Sequence, residues 1–228
     1  MLEVKDLTIK FDKRPVLNNI STVFSGSNTH GIIGLNGSGK TTFFNALAGV
    51  IKPDEGGFIF NGTPLNSKDI GYIETSNYFY SNITGKEYLD IFPSTNKEFK
   101  LESFQELMHL PLNNLIETYS TGMKKKLALL AMVKQDKQIY IFDEPFNGLD
   151  IETNKVLIIM IEALSKKGKM IFISSHILEP LLNVCEQIHY LSGGSILKTY
   201  NRQEYNTIEN ELFEKLKLKA TEILKTAI

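Results

Sequence analysis

Hydrophobic positions follow different rhythms in different parts of this 228-residue chain. Near the start, Leu2/Val4 and Leu7/Ile9/Phe11 alternate with polar neighbours, the period of half-buried strands. Phe58-Ile59-Phe60 followed by Asn61-Gly62 predicts a hairpin, and with the first segments predicts a small antiparallel sheet. Elsewhere the apolar runs are unbroken. Gly31-Ile32-Ile33, Ile139–Phe142, Met170–Ile173 and Ile188–Leu191 fit strands buried on both faces of a parallel sheet. Right-handed crossovers would set the later three beside Ile32-Ile33. Helical spacing shows in Phe43, Phe44, Leu47 and Ala48, with Gly49 as a stop, and again over 152–165. Between about 84 and 134 a helical insert is expected. There Thr84-x-x-Glu87 reads as a capping box before Tyr88, Leu89, Ile91 and Phe92, while Phe104, Leu107 and Met108 precede the breaker Pro111. From Tyr205 onward, Ile208, Leu212 and Leu216 in register predict an amphipathic helix packed on the core, over about 203–228. The expected fold class is α/β: one domain over 1–228 with a mostly parallel sheet, an antiparallel β subdomain and an α-helical subdomain.

Composition narrows the function classes. The formal charge is −1, from 25 basic and 26 acidic side chains, which argues against a nucleic-acid-coating surface. Cys185 stands alone, so no internal disulfide is expected, and the reducing cytosol suits it. The segment Met1-Leu2-Glu3-Val4-Lys5-Asp6 has no apolar signal core. Apolar runs such as Val156–Ile161 fall far short of the roughly 20 residues that span a bilayer. A soluble chain is expected, with any membrane role reached through a partner.

Residues 34–42, Gly-Leu-Asn-Gly-Ser-Gly-Lys-Thr-Thr, carry the first chemistry. They fit G-x-x-x-x-G-K-[ST], with Gly34, Gly39, Lys40 and Thr41 at the fixed positions. Glycines let the backbone curl so that the N–H groups of Asn36, Gly37, Ser38 and their neighbours point at an anion. The helix after the loop, opening on Lys40, Thr41 and Thr42, adds its positive end, and Lys40 adds a full charge near the outer phosphates. The Thr41 hydroxyl suits a magnesium ion. A second element is Ile139–Phe142 running into Asp143-Glu144-Pro145. A buried strand pins both acids at its carboxyl end, where open α/β sheets bind ligands. Asp143 there can hold magnesium, and Glu144 can orient or deprotonate a water. A P-loop NTPase core binding a nucleoside triphosphate is therefore expected.

With these motifs in order, the chain resembles the nucleotide-binding subunit of an ATP-binding cassette (ABC) transporter over nearly its full length. That family carries a Leu-Ser-Gly-Gly-Gln signature, which appears here as Tyr119-Ser120-Thr121-Gly122-Met123, followed by Lys124-Lys125-Lys126. Those three lysines are expected to form a solvated turn. The resemblance implies ATP and Mg2+ as cofactors and a second cassette, in a homodimer or heterodimer, whose Ser120–Gly122 helix end caps the γ-phosphate across the interface. It assigns Asp150, in Phe146-Asn147-Gly148-Leu149-Asp150, to the loop crossing that interface, and His176, in Ser174-Ser175-His176, to the γ-phosphate. Phe11 matches the aromatic position that stacks on adenine. His30, His109 and His189 lack such a context and are expected to be structural.

One position departs from the family. Where it usually has glutamine touching magnesium, Ile70-Gly71-Tyr72-Ile73-Glu74-Thr75 places Thr75, with Glu74 just before it. Threonine is shorter and reaches an ion directly only if the backbone shifts; otherwise a water bridges. Arginine occurs only at Arg14 and Arg202, so no arginine finger is expected from this chain, and hydrolysis should require dimerisation. The implied function is ATP hydrolysis driving export through transmembrane permease subunits on a separate chain, with the cassette cytoplasmic and peripheral to the inner face of the cell membrane. The signature and short chain resemble exporters of drugs or antimicrobial peptides. The alternative is a soluble ATP switch of the same superfamily acting on a non-membrane partner. Asn96-Lys97 and Asn154-Lys155 both lack the aspartate of a GTPase Asn-Lys-x-Asp motif.

Overall fold

The computed structural model describes residues 1–26, 28–212 and 214. Two sheets organise it. The smaller is antiparallel, in the order β2(Arg14–Phe24)-β1(Leu2–Phe11)-β4(Glu55–Phe60)-β5(Thr63–Pro64). The larger has the order β10(Ser195–Asn201)-β9(Gln187–Ser192)-β3(Thr29–Ile33)-β8(Met170–Ser175)-β7(Ile139–Phe142)-β6(Ile70–Ile73). Every pairing in it is parallel except β9 with β10. As the apolar runs predict, β8 and β9 flank β3 directly.

Alternation of side chains across the larger sheet explains why those runs are unbroken. Ile139 and Ile141 of β7, with Met170 and Phe172 of β8 and Ile32 of β3, pack towards the smaller sheet and α1(Lys40–Leu47). Tyr140, Phe142, Ile171, Ile173 and Ile33 point the other way, into a core shared with α4(Thr121–Val133), α5(Ile151–Lys166) and α6(Leu178–Val184). Both faces are dry, so no position of β7 can be polar until the strand ends at Asp143.

The smaller sheet carries an irregularity that decides where Phe11 points. Leu2 and Val4 face inward at even positions, yet Leu7 and Ile9 do so at odd ones. The phase changes at Asp6, which has a positive φ of 49° and a register shift on either neighbour strand. The Asp6 N–H donates to Ser21 Oγ, whose hydroxyl donates back to Asp6 Oδ1, holding this β-bulge. The β1–β2 register shifts again between Leu7 and Ile9 and between Ile9 and Lys10, and Phe11 beyond the last shift is turned outward, 48% exposed.

The insert is less helical than its spacing suggests. It holds α2(Gly85–Ile91), α3(Leu101–Met108) and α4, joined by irregular segments and one 3₁₀ turn at Ile116–Thr118, with a Thr84–Leu115 bridge. The Thr84–Glu87 capping box is present, and α3 ends in a left-handed His109 before Pro111. Residues 205–212 are helical, with Ile208 fully buried and Leu212 against the core; Leu216 lies outside the described residues.

His30 and His189 are structural, as expected. They sit side by side on β3 and β9, with Nδ1 of His30 3.2 Å from Nε2 of His189, and His189 Nδ1 2.9 Å from Thr199 Oγ1. Phe24 meets both rings edge-on and Phe172 stacks on His30. Burial pulls the pKa of His30 down to about 4; burial and then His30 pull His189 down to about 3. Because the folded values lie below the unfolded one, the unfolded chain binds more protons, and stability present above about pH 6.5 is lost as pH falls towards these values. Between pH 7 and pH 5 the expected loss is on the order of 2 kcal/mol per histidine. Urea unfolding of the wild type and of the His30→Gln/His189→Gln double variant at both pH values checks this, and the variant should show the smaller drop.

Candidate functional site

The phosphate loop bridges the end of β3 and the start of α1, and its glycines are required by contact as well as by conformation. A Cβ at Gly34 would lie 2.3 Å from the Leu191 carbonyl oxygen. Gly39 has a φ of +105° and would bring a Cβ within 2.8 Å of Leu17 Cδ2. A cavity of about 240 Å3 opens over the loop, walled by residues 36–42, Val16 and Glu144. This is room for a triphosphate against backbone N–H groups and the α1 N-terminus. Lys40 is 7% exposed; its ammonium donates to the Gly34 carbonyl at 2.8 Å and more weakly to that of Leu35 at 3.4 Å. It also lies 3.6 Å from Glu144 Oε1. The cation is thus kept inside the loop by groups that an anionic ligand can displace.

Asp143 is 1% exposed, and three hydroxyls from three elements converge on it. Thr41 Oγ1 from α1 donates to Oδ2 at 2.7 Å, and Thr75 Oγ1 from just beyond β6 donates to the same oxygen at 3.1 Å. Ser174 Oγ from β8 donates to Oδ1. The Asp143 N–H donates to the Ile73 carbonyl at 2.9 Å, which extends the β6–β7 pairing by one residue. Thr75 therefore stands beside the expected magnesium ligands Thr41 and Asp143, while Glu74 takes no part in these three hydrogen bonds. A carboxylate flanked by hydroxyls suits a hard, oxygen-seeking ion such as Mg2+, which usually keeps waters and substrate phosphate oxygens as further ligands. Among the described residues no cluster of three or more His, Cys, Asp or Glu side chains offers an all-protein cage.

Glu144 points elsewhere because its backbone does. It adopts φ 50°, the left-handed region, so the chain turns sharply between the two acids. Its N–H donates to Ser174 Oγ at 2.8 Å. Its carboxylate oxygen Oε2 lies 2.9 Å from His176 Nδ1, a hydrogen bond in which the ring donates. Asn147 Nδ2 and the His176 N–H approach the same oxygen at 3.4 Å. One acid is thereby enclosed among hydroxyls and the other is held between a lysine and a histidine at the cavity wall.

The remaining expected residues lie apart from that wall. Ser120 caps α4, accepting from the Met123 N–H at 3.2 Å, and Asp150 caps α5, accepting from the Thr153 N–H at 2.7 Å. The Thr153 backbone N–H and then its hydroxyl hold the Asp150 carboxyl below the usual range. Signature and interface loop are neighbours: a Cβ on Gly122 would come within 3.8 Å of Asp150 Oδ2. Neither Ser120, Gly122 nor Phe11 lines the phosphate-loop cavity. Phe11 is exposed at the tip of the β1–β2 hairpin, which carries Val16 to the cavity wall.

Three residues went unassigned in the sequence. Val16 sits among ordinary strand residues and gives no signal there. Ser174, fully buried, serves both acids, and its place two residues before His176 was the only hint. Lys125 belongs to a lysine run expected to be a solvated turn, but the structure corrects this. All three lysines lie in the first turns of α4 and are half-buried, because helix α4 packs that edge against α3 and the segment after Glu144.

Comparison with known proteins agrees with this geometry. Residues 17–147 match the ABC transporter family. The chain is 30% identical over 213 residues to the ABC transporter ATP-binding protein YtrB of Bacillus subtilis, covering 90% of this chain and 73% of that one. It is 29% identical to the lantibiotic transport ATP-binding protein SrtF of Streptococcus pyogenes, covering 93% of this chain and 96% of that one. A solved ATP-binding subunit of an ABC transporter superposes with a TM-score of 0.83 at 26% identity, over 95% of this chain and 99% of that one. With its phosphate loop, its paired acids and its signature helix in the family's order, this chain belongs to the ABC transporter family as an ATP-binding subunit.

Proposed function

We propose that this chain hydrolyses ATP with Mg2+ as one of two cassettes that enclose two nucleotides, and that the cycle drives export through permease subunits on a separate chain. The observation that carries the hydrolysis is Glu144 held between His176 and Lys40 at the wall of the phosphate-loop cavity. Glu144 accepts a proton from the attacking water as that oxygen bonds to the γ-phosphorus, and the bond to the ADP oxygen breaks. The Glu144–His176 contact would orient the carboxylate and bring the histidine to the transferred phosphoryl group. Lys40 leaves its loop carbonyls for the β- and γ-phosphates. Thr41, Asp143 and Thr75 are the residues that would hold the magnesium ion, whose charge would offset that developing on the phosphate oxygens. Asn36, Gly37, Ser38, Gly39 and Thr42 supply the surrounding backbone and helix-end donors.

Ser120, Gly122 and Asp150 are not among the residues lining the chain's own cavity, which supports a role at a partner's nucleotide. Exposed Leu35, Ile151 and Ile177, at 64%, 90% and 48%, flank the phosphate loop, Asp150 and His176 and suit such an interface. The exposure of Phe11, on the hairpin that carries Val16 to the cavity wall, supports stacking on adenine, a contact worth about 1–3 kcal/mol for a base on an aromatic ring. Among the described residues no helix is long and apolar enough to cross a membrane, so transport would need membrane-embedded partners. The likeness to SrtF, named for lantibiotic transport, supports export of a peptide-like cargo.

Glu144→Gln is expected to cut turnover about 10²–10⁴-fold while ATP binding persists, trapping a dimer visible by size-exclusion chromatography. Near-normal turnover would remove Glu144 from the role. In the isolated wild-type chain the ATPase rate should rise more steeply than linearly with protein concentration. Constant specific activity in a sample shown to be monomeric by light scattering contradicts the shared site. Thr75→Gln, which lengthens the reach of this side chain, should shift the magnesium titration of turnover to lower concentration.

A further inference from the structure

Lys125 lies on the second turn of the signature helix α4, five residues after its cap Ser120. Its ammonium donates to two backbone carbonyls of the segment that follows Glu144: that of Pro145 at 3.1 Å, and that of Asn147. The same segment is closed on itself by the Asn147 N–H, which donates to the Glu144 carbonyl at 3.3 Å. A small apolar cavity of about 20 Å3, lined by Ile73, Leu129, Phe142, Pro145 and Leu149, borders the Lys125 stem. Burial lowers the lysine's pKa and the Glu144 carboxylate opposes that shift. In such surroundings a charged donor bridging two carbonyls holds more firmly than it would in water. The turn it holds is the one that puts Glu144 at φ 50°.

We propose that Lys125 is a positioning residue: it fastens the Glu144 turn to the signature helix, so that a nucleotide gripped by Ser120–Gly122 across a dimer interface sets the orientation of Glu144 in the subunit that grips it. The second half rests on the proposed hydrolysis by a two-cassette assembly; the first half does not. Nothing else among the described side chains ties α4 to Pro145 and Asn147 by hydrogen bonds to their carbonyls. A shift of the helix start is therefore transmitted through one ammonium to the proton acceptor.

The experiment compares the full-length wild type with Lys125→Met, which keeps the stem and removes the donor, and Lys125→Arg, which restores a cation with several donors. Hydrogen–deuterium exchange on the nucleotide-free chain reads the turn itself. Exchange of the Asn147 amide should quicken about tenfold in Lys125→Met, with the phosphate-loop amides 36–42 unchanged, and return towards wild type in Lys125→Arg. Steady-state kinetics should show kcat lowered about tenfold in Lys125→Met at a KM within twofold of wild type, again recovered by Lys125→Arg. Equal exchange at Asn147 in all three proteins overturns the proposal, as does faster exchange in Lys125→Met with an unchanged kcat. A parallel loss of nucleotide affinity and kcat overturns it too, because that marks general damage to the site. If the wild type has no turnover, the hydrolysis proposal fails, while the exchange data still decide whether Lys125 holds the turn.

Discussion

The molecule depends on keeping one carboxylate, Asp143, out of water without leaving it unpartnered. A buried charge that lacks donors costs several kcal/mol, so the strand end is tolerable only where hydroxyls meet it. Those hydroxyls come from Thr41, Thr75 and Ser174, on three separate stretches of chain. The requirement fixes the start of α1 against the end of β7, the exit from β6 on one side, and the end of β8 on the other. The phosphate loop is therefore aligned with the acids by the same contacts that make the acid affordable inside the protein.

From that fixed point the geometry of Glu144 follows. Ser174 has one hydroxyl and uses it twice, donating to Asp143 and accepting from the Glu144 N–H. The N–H it accepts belongs to a residue in the left-handed region, and the turn sends consecutive acids into different surroundings. One meets only hydroxyl oxygens and is suited to a hard cation. The other meets a lysine and a histidine at the wall of the phosphate-loop cavity, where the proposed hydrolysis would use it. Adjacent residues on a regular strand would also diverge, but to opposite faces of the sheet; the sharp turn keeps both at its carboxyl edge.

Much of this was legible in the sequence because the physical demands are local. A strand buried on both faces must be apolar throughout, so β7 and β8 announce themselves, and the phosphate loop must be rich in glycine because Leu191 and Leu17 crowd it. What was not legible arises from side chains acting at a distance. The β-bulge at Asp6 shows only as a change of phase between Val4 and Leu7, and it takes the further shifts up to Lys10 to bring Phe11 to the surface. Lys125 reads as one of three solvated lysines until the segment after Glu144 packs against α4 and presents it with two carbonyls. The irregular connectors of the insert likewise carry no helical period, although Leu110 and Leu112 within them are buried in its core.

In the proposed magnesium site, Thr75 would serve with a short side chain where a longer one is usual. A hydroxyl is both donor and lone-pair acceptor, so the same oxygen can donate to Asp143 when no cation is near and turn a lone pair towards a cation when one is. Thr41 and Thr75 share a single Asp143 oxygen, at 2.7 and 3.1 Å, so both are already gathered around the place where a cation would be held. Little side-chain entropy would be lost on binding, because threonine has a single stiff χ1 and its hydroxyl is already held by Asp143. A longer amide would pay more of that cost but could follow a moving loop without losing its contact. In this chain, then, the exit of β6 is bound closely to the acid through Thr75, and motion of that loop would be felt first as a change in the hydrogen bonding of Asp143.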